Sequence, residues 1–233
     1  MISFLCPTRS RPQQAINLYK SFVSTQQNSN EIIFCLQQGD PKIQEYLYLF
    51  KENNFENFFI TDPMPTSYLW NQMAFAAKGD LLTLIGDDVE IKTKGWDIII
   101  EEKASKYLDN IFVITVDDGR NDRPQGEVMR CPHPIVHRTW VKTLGYLVPP
   151  FFMHRYLDAY TQNLALRLNR FVEIPTIVFD HLKFNYSRDE TGQRSRRWLN
   201  YDKFVFEKIS KRYFEQDLKL LKKQIDIRVQ KDL

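Results

Sequence analysis

Short apolar segments alternate with segments of helical spacing through the first half of the chain. Segments 2–6, 31–36 and 81–85 are apolar runs bounded by polar or proline residues, which is typical of buried strands. The segments between them, such as 13–24, place apolar side chains at the spacing of a helix packed on a sheet. This alternation predicts an α/β fold, a single Rossmann-like domain whose central sheet is mixed but mostly parallel.

The pattern becomes less regular after residue 117. Segments 132–136 and 172–179 predict further strands, 156–168 predicts a helix, and the polar stretch from 117 onward predicts a loop. Segment 197–231 has apolar residues at helical spacing among Lys and Arg, which indicates one long amphipathic helix or two shorter ones. We therefore expect residues 1–193 to form the body and residues 194–233 a basic amphipathic helical tail.

The positive charge of the chain belongs to this tail. Of the 32 basic and 29 acidic residues, twelve basic and six acidic residues lie in the tail, so the body carries a small negative charge. A body of this charge argues against nucleic acid as the partner. The tail is expected either to pack on the body or to contact a partner subunit or an anionic membrane.

The sequence also indicates a compartment. The three cysteines form neither a disulfide framework nor a metal-binding CxxC motif. The apolar stretch at the N-terminus is too short for a signal peptide, and no run approaches the roughly 18 apolar residues of a membrane span. The expectation is a cytoplasmic protein, with peripheral contact at the inner membrane face as the variant in which the tail binds lipid.

The strongest chemical signal is the pair Asp87-Asp88, which follows Gly86 directly after the apolar segment 81–85. Two adjacent carboxylates at the end of a buried strand are costly because they repel each other and lose water. A divalent cation such as Mg²⁺ or Mn²⁺ removes that cost, and ligands bind beyond the carboxyl ends of strands in open α/β sheets. The alternative interpretation is a solvated turn.

Two further residues are candidates for chemistry. His181 follows the predicted strand 172–179, where an imidazole could serve as a ligand of Mn²⁺ or as an ordinary hydrogen-bonded histidine. Asp158 lies near the start of a predicted helix, where it is either a general base or a carboxylate stabilised by the helix dipole. His133 and His137 flank Pro134 and are not expected to form a metal-binding pair.

Several short motifs occur in a fixed order along residues 1–193. They are PTRSRP at 7–12, LWNQM at 69–73, GD at 79–80, GDDV at 86–89, GWD at 95–97, GYL at 145–147, and then Asp158 and Asp180-His181. In residue type and order these motifs resemble the GT-A glycosyltransferases of family 2, especially the short phage and bacterial members. The resemblance implies a GT-A domain that transfers a hexose from a nucleotide-diphosphate sugar to an acceptor hydroxyl, with inversion and with Mn²⁺ or Mg²⁺ as cofactor.

The resemblance also implies a role for each matching residue. Asp88 and His181 would bind the metal, and Asp158 would be the catalytic base. The donor would be bound by residues of the N-terminal loop, of the turn after segment 31–36, of the predicted helix that carries the LWNQM motif, of the GDDV motif and of the segment after His181, namely Pro7, Thr8, Arg9, Arg11, Gln37, Asp40, Trp70, Asn71, Asp87, Arg188 and Arg194. Arg188, Asp189 and Arg194 would form a lid over the diphosphate, and the loop 117–137 would help select a glycan, a lipid-linked or a protein acceptor.

The chain departs from the family pattern at two places. Gln37, Gln38 and Asp40 stand where many relatives have an acidic run that binds the base, and the usual Glu-Asp pair is reduced to Leu157-Asp158. A nucleotidyltransferase is an alternative function, although the N-terminal loop lacks the glycines that such enzymes use. A non-catalytic nucleotide- or sugar-binding module is the second alternative.

Overall fold

The structure is a computed structural model, and it describes residues 1–120, 127–182 and 189–229. Within these residues the strands are β1 (Ile2–Pro7), β2 (Glu31–Gln37), β3 (Phe58–Thr61), β4 (Leu81–Leu84), β5 (Val89–Ile91), β6 (Val113–Asp117), β7 (Ile135–His137) and β8 (Phe171–His181). They form one sheet in the order β3-β2-β1-β4-β7-β6-β8-β5. The expected mixed sheet is confirmed, since β3, β2, β1 and β4 are parallel neighbours and β7 joins antiparallel to β4.

Helices cover both faces of the sheet. They are α1 (Pro12–Thr25), α2 (Ile43–Glu52), α3 (Thr66–Ala76), α4 (Trp96–Ala104), α5 (Arg138–Leu144), α6 (Leu157–Leu168), α7 (Glu190–Arg197), α8 (Leu199–Phe204) and α9 (Ser210–Val229), with a π-helical segment (Val205–Ile209) between the last two. Because side chains alternate along a strand, β1 sends Phe4 into the core under α1 and α4 and Leu5 into a second core under α3, α5 and α6. The sheet therefore separates two buried layers.

The C-terminal segment packs on the second of these layers. Leu218 and Leu221 of α9 are buried in it, and α9 lies against α5 and α6. The buried carboxylate of Asp217 accepts hydrogen bonds from the hydroxyl groups of Tyr146 and Tyr160. The tail is thus attached to the body, and the predicted boundary at residue 193 falls inside α7.

No helix in the described part of the chain combines the length and the apolar character that crossing a bilayer requires. The three cysteines are buried as free thiols.

Candidate functional site

One cleft of about 710 Å³ collects most of the candidate residues. It lies at the carboxyl ends of β1 and β4, where the chain continues into the loops that carry Thr8 and Asp87. At this point the order of strands reverses, because β2 and β3 follow β1 on one side and β4 lies on the other. Ligands of open α/β sheets bind at such a reversal, and the volume is within the roughly 300–1,000 Å³ of small-molecule sites.

Asp87 is held by the loop that follows β1. Thr8 Oγ1 donates to Asp87 Oδ2 at 2.6 Å, and Arg11 Nη1 donates to Asp87 Oδ1 at 3.0 Å. Burial raises the pKa of Asp87 to about 6, against the lowering effect of Arg11, and the charge of Asp88 raises it further. Since Arg11 Nη1 also lies 3.4 Å from Asp88 Oδ2, the protein itself offsets part of the repulsion between the two carboxylates.

Asp88 faces His181 because of a strand pairing and a backbone hydrogen bond. β5 pairs antiparallel with β8 so that Val89 lies opposite His181, and Leu182 N donates to the carbonyl oxygen of Asp88 at 2.8 Å. This pairing leaves His181 Nε2 3.3 Å from Asp88 Oδ1. A Cβ atom at Gly86 would collide with Asp88 Oδ1, so the carboxylate can take this position only next to a glycine.

A carboxylate and an imidazole that face each other are donors that Mn²⁺ accepts. The described residues contain no group of three or more potential ligands, so Asp88 and His181 would leave coordination positions for phosphate oxygens and water. Arg120 Nη2 lies 3.1 Å from His181 Nδ1, and a guanidinium can only donate. While Nδ1 accepts from Arg120, a neutral imidazole carries its proton on Nε2, the nitrogen that faces Asp88. Once Arg120 leaves Nδ1, the proton can move to Nδ1, and Nε2 and Asp88 can then bind a cation together.

Helix α7 forms a wall of the cleft through contacts with the N-terminal loop. Arg9 Nε donates to Glu190 Oε1 at 3.0 Å, Ser10 Oγ donates to Glu190 Oε2 at 2.5 Å, and Arg11 Nη2 lies 2.6 Å from Asp189 Oδ2. Asp189 also caps α7 by accepting from the backbone N–H of Gly192. Arg9 Nη1 is buried without a hydrogen-bond partner among the described residues, and it is therefore a donor available to a ligand.

Asp158 lies in the first turn of α6 and lines the same cleft. Burial raises its pKa, while the backbone N–H groups of Ala159 and of Asp158 itself lower it. Tyr156, just before the helix, has a φ of 65°, a left-handed conformation that is uncommon for a residue with a side chain. A carboxylate with a raised pKa is a stronger base and is suited to accept a proton.

The structure brings together eleven of the predicted site residues. Those that line the cleft are Pro7, Thr8, Arg9, Arg11, Gln37, Trp70, Asp87, Asp88, Asp158, His181 and Arg194. Gln37 Oε1 is buried and has no hydrogen-bond partner within the described residues. Arg188 lies outside the described residues, as does part of the loop 117–137.

Asp40 and Asn71 do not line the cleft, and their side chains bind backbone instead. Asn71 Oδ1 accepts from the N–H groups of Leu147 and Val148, and its amide nitrogen donates to the carbonyl of Val148. Asp40 accepts from the N–H groups of Ser10 and Lys42 and so fixes the N-terminal loop. In this structure both residues support neighbours of the cleft, and their predicted contact with the donor stays a prediction.

His133 lines the cleft, which the sequence did not predict, because this histidine was weighed only as a metal-binding partner of His137. It is 5% exposed, its ring lies 5.3 Å from that of His181, and neither ring nitrogen has a hydrogen bond of good geometry within the described part of the chain. Burial, followed by the neighbouring His181, lowers its pKa to about 3, so the ring is neutral. The signal that could have found it is its place two residues before β7, the strand that pairs with β4.

No protein-family model matches this sequence, and no curated protein sequence matches it. Solved structures do match. S. aureus TarS in complex with UDP superposes with a TM-score of 0.61 at 14% identity, covering 93% of this chain and 69% of that chain. The mannosyltransferase PcManGT from Pyrobaculum calidifontis, in complex with GDP-Man and Mn²⁺, gives 0.63 at 13% identity, covering 84% and 60%.

These matches define the fold as that of a GT-A-like glycosyltransferase. In the longer S. aureus TarS structure, with a TM-score of 0.61, the match covers 90% of this chain and 44% of that protein, so the chain spans less than half of TarS. At 13–14% identity the likeness concerns the fold alone.

Proposed function

We propose that this chain is a glycosyltransferase that moves a hexose from a nucleotide-diphosphate sugar to an acceptor hydroxyl, with inversion and with Mn²⁺ or Mg²⁺. The observation that carries the proposal is the shared cleft, in which Asp87, Asp88 and His181 meet Asp158 at the carboxyl end of the parallel strands. The GT-A-like fold adds support, since the structural neighbours bind UDP and GDP-Man.

Groups with unused hydrogen-bonding capacity would bind the donor. The amide oxygen of Gln37, which has no hydrogen-bond partner among the described residues, would accept from an N–H group of the base. Arg9 Nη1 would donate to a phosphate oxygen. Arg194 lines the cleft and is part-exposed, so its charge can reach the diphosphate. Asp87, fixed by Thr8 and Arg11, would accept from hydroxyl groups of the donor.

Asp88 and His181 would hold the divalent cation. When bound, the cation supplies positive charge beside the diphosphate, whose negative charge grows as the bond to the sugar breaks. Arg120 would turn from His181 Nδ1 toward the same phosphates, because a guanidinium suits phosphate geometry.

Asp158 would accept the proton of the acceptor hydroxyl as that oxygen attacks the anomeric carbon. Its raised pKa and its place in the cleft support this role. Attack from the face opposite the leaving diphosphate inverts the anomeric configuration.

The test is the release of nucleoside diphosphate from a panel of UDP- and GDP-sugars with Mn²⁺, with water or simple sugars as acceptors. We expect the wild-type chain to release it and Asp158→Asn to be slower by about 10²-fold or more, because the general base is lost. Donor affinity should be retained in this variant, and Asp226→Asn, at an exposed position of α9, should release nucleoside diphosphate at the wild-type rate.

Two results would contradict the proposal in different ways. Release of pyrophosphate in place of nucleoside diphosphate would indicate a nucleotidyltransferase. Donor binding without release by the wild-type chain would indicate a binding module.

A further inference from the structure

The segment 194–213 exposes an unusual concentration of large apolar side chains. Its exposed members, each 38–55% accessible, are Trp198, Leu199, Tyr201, Phe204, Ile209 and Tyr213. Exposed apolar groups scattered singly are ordinary, but a contiguous group marks an interaction site.

Four aromatic rings connect into a strip that begins at the cleft. Trp198 lines the cleft and lies 6.3 Å from the ring of Tyr201. Tyr201 donates its hydroxyl to the carbonyl of Phe151 at 3.4 Å, and Phe151 stands 4.9 Å from the ring of Tyr213. We call these four residues the aromatic strip.

The charge around the aromatic strip is almost entirely positive. Segment 194–213 has seven basic and two acidic residues. One of the acidic residues, Asp202, is buried and accepts from the N–H groups of Met153, His154 and Arg155. Its carboxylate is therefore not exposed beside the basic side chains. The other, Glu207, lies 3.9 Å from Lys203.

We propose that the aromatic strip and its basic flanks dock on an anionic lipid bilayer, with the mouth of the cleft at the level of the headgroups. Trp and Tyr favour the boundary between headgroups and acyl chains, because one end of each side chain is apolar and the other polar. Lys and Arg near an anionic surface contribute about 1 kcal/mol each. The combination fits an anionic bilayer, because the excess of basic side chains is complementary in charge to its headgroups.

The segment is fixed well enough to serve as a rigid docking surface. Val205 and Ser210 are buried beneath it, and Asp202 ties it to the loop before α6. Membrane docking does not depend on the proposed activity. If the chain is a glycosyltransferase, and here the inference rests on the proposed function, docking places a membrane-borne acceptor next to Asp158.

The test uses the full chain with phosphatidylcholine vesicles, with and without phosphatidylglycerol, in low and high salt. Co-sedimentation measures binding. Trp198 reports the docking face, because the other tryptophans, Trp70, Trp96 and Trp140, are buried. We expect binding to the anionic vesicles only, weakened by salt, with a blue shift of tryptophan emission.

Two double charge reversals give a matched comparison. Arg196→Glu with Arg197→Glu, beside the aromatic strip, should weaken vesicle binding by about tenfold or more. Lys222→Glu with Lys223→Glu changes the net charge equally at two exposed positions of α9. Its vesicle binding should stay within about twofold of the wild type, because attraction beyond a Debye length is screened.

Three results would overturn the proposal. They are no binding of the wild-type chain, equal loss in both double variants, and binding without a change in tryptophan emission. None of these results bears on the nucleotide site, whose test is the release of nucleoside diphosphate, so docking and activity can fail separately.

Discussion

At the scale of single residues, the two carboxylates after β4 have different surroundings although they are neighbours in sequence. Asp87 is bound by Thr8 and Arg11, while Asp88 faces His181. The sequence predicted that the pair is functional, because it follows an apolar strand. It could not predict that Arg11 would lie between them, since this depends on how the loop after β1 folds back over β4.

His133 gives a prediction about acid stability. The unfolded chain protonates this histidine near its ordinary pKa of 6.5, whereas the folded chain does so only near 3. The free energy of unfolding is therefore unaffected above pH 6.5 and falls as the pH drops below it, by about 2 kcal/mol at pH 5. His133→Gln should remove that part of the loss when urea unfolding is measured at pH 7 and pH 5.

The half-buried His154, whose pKa desolvation lowers to about 4, contributes a similar loss that the variant retains. If His133→Gln lost as much stability between pH 7 and pH 5 as the wild type does, His133 would not be buried as a neutral ring.

At the scale of elements, the strand that completes the site was not predicted. β8 was expected from its apolar run, but β5 has only three residues and follows a polar turn. It forms by pairing with β8. Because β8 lies about ninety residues away along the chain, this pairing leaves little trace in the local sequence. The register of the β5–β8 pair is what places His181 beside Asp88.

The attachment of α9 can be tested with adjacent leucines. Leu221 is fully buried in the core under α5 and α6, whereas Leu220 is 38% exposed. Leu221→Ala should lower the free energy of unfolding by about 2–5 kcal/mol because it leaves a cavity. Leu220→Ala should cost less than about 1 kcal/mol, and equal losses in urea unfolding would show that α9 does not pack as described.

At the scale of the whole molecule, the sequence predicted the α/β class and most element positions within a few residues. The helix expected at 13–24, for example, is α1 (Pro12–Thr25). The order of strands could not be predicted, because β7 enters antiparallel between β4 and β6 through long-range pairing.

Some residues of the sequence motifs hold the fold together and do not line the cleft. The buried Asp97 of the GWD motif accepts from the N–H groups of Gln27 and Asn28, and Trp96 fills the core. Local sequence alone does not distinguish such a carboxylate from Asp87, since both follow a glycine within a short motif and both are buried.

Metal-dependent nucleotide binding by the whole chain tests the proposed metal and donor sites together. Thermal unfolding should be followed with UDP, GDP, CDP and dTDP, with and without Mn²⁺, for the wild type, Asp88→Ala and the exposed control Asp226→Ala. At a hundredfold excess over Kd, one nucleotide should raise the Tm of the wild type and the control by roughly 5–10 °C, and only with Mn²⁺. Asp88→Ala should fold but lose this shift, whereas an unchanged shift in that variant, or none in the wild type, would contradict the proposed metal and donor sites.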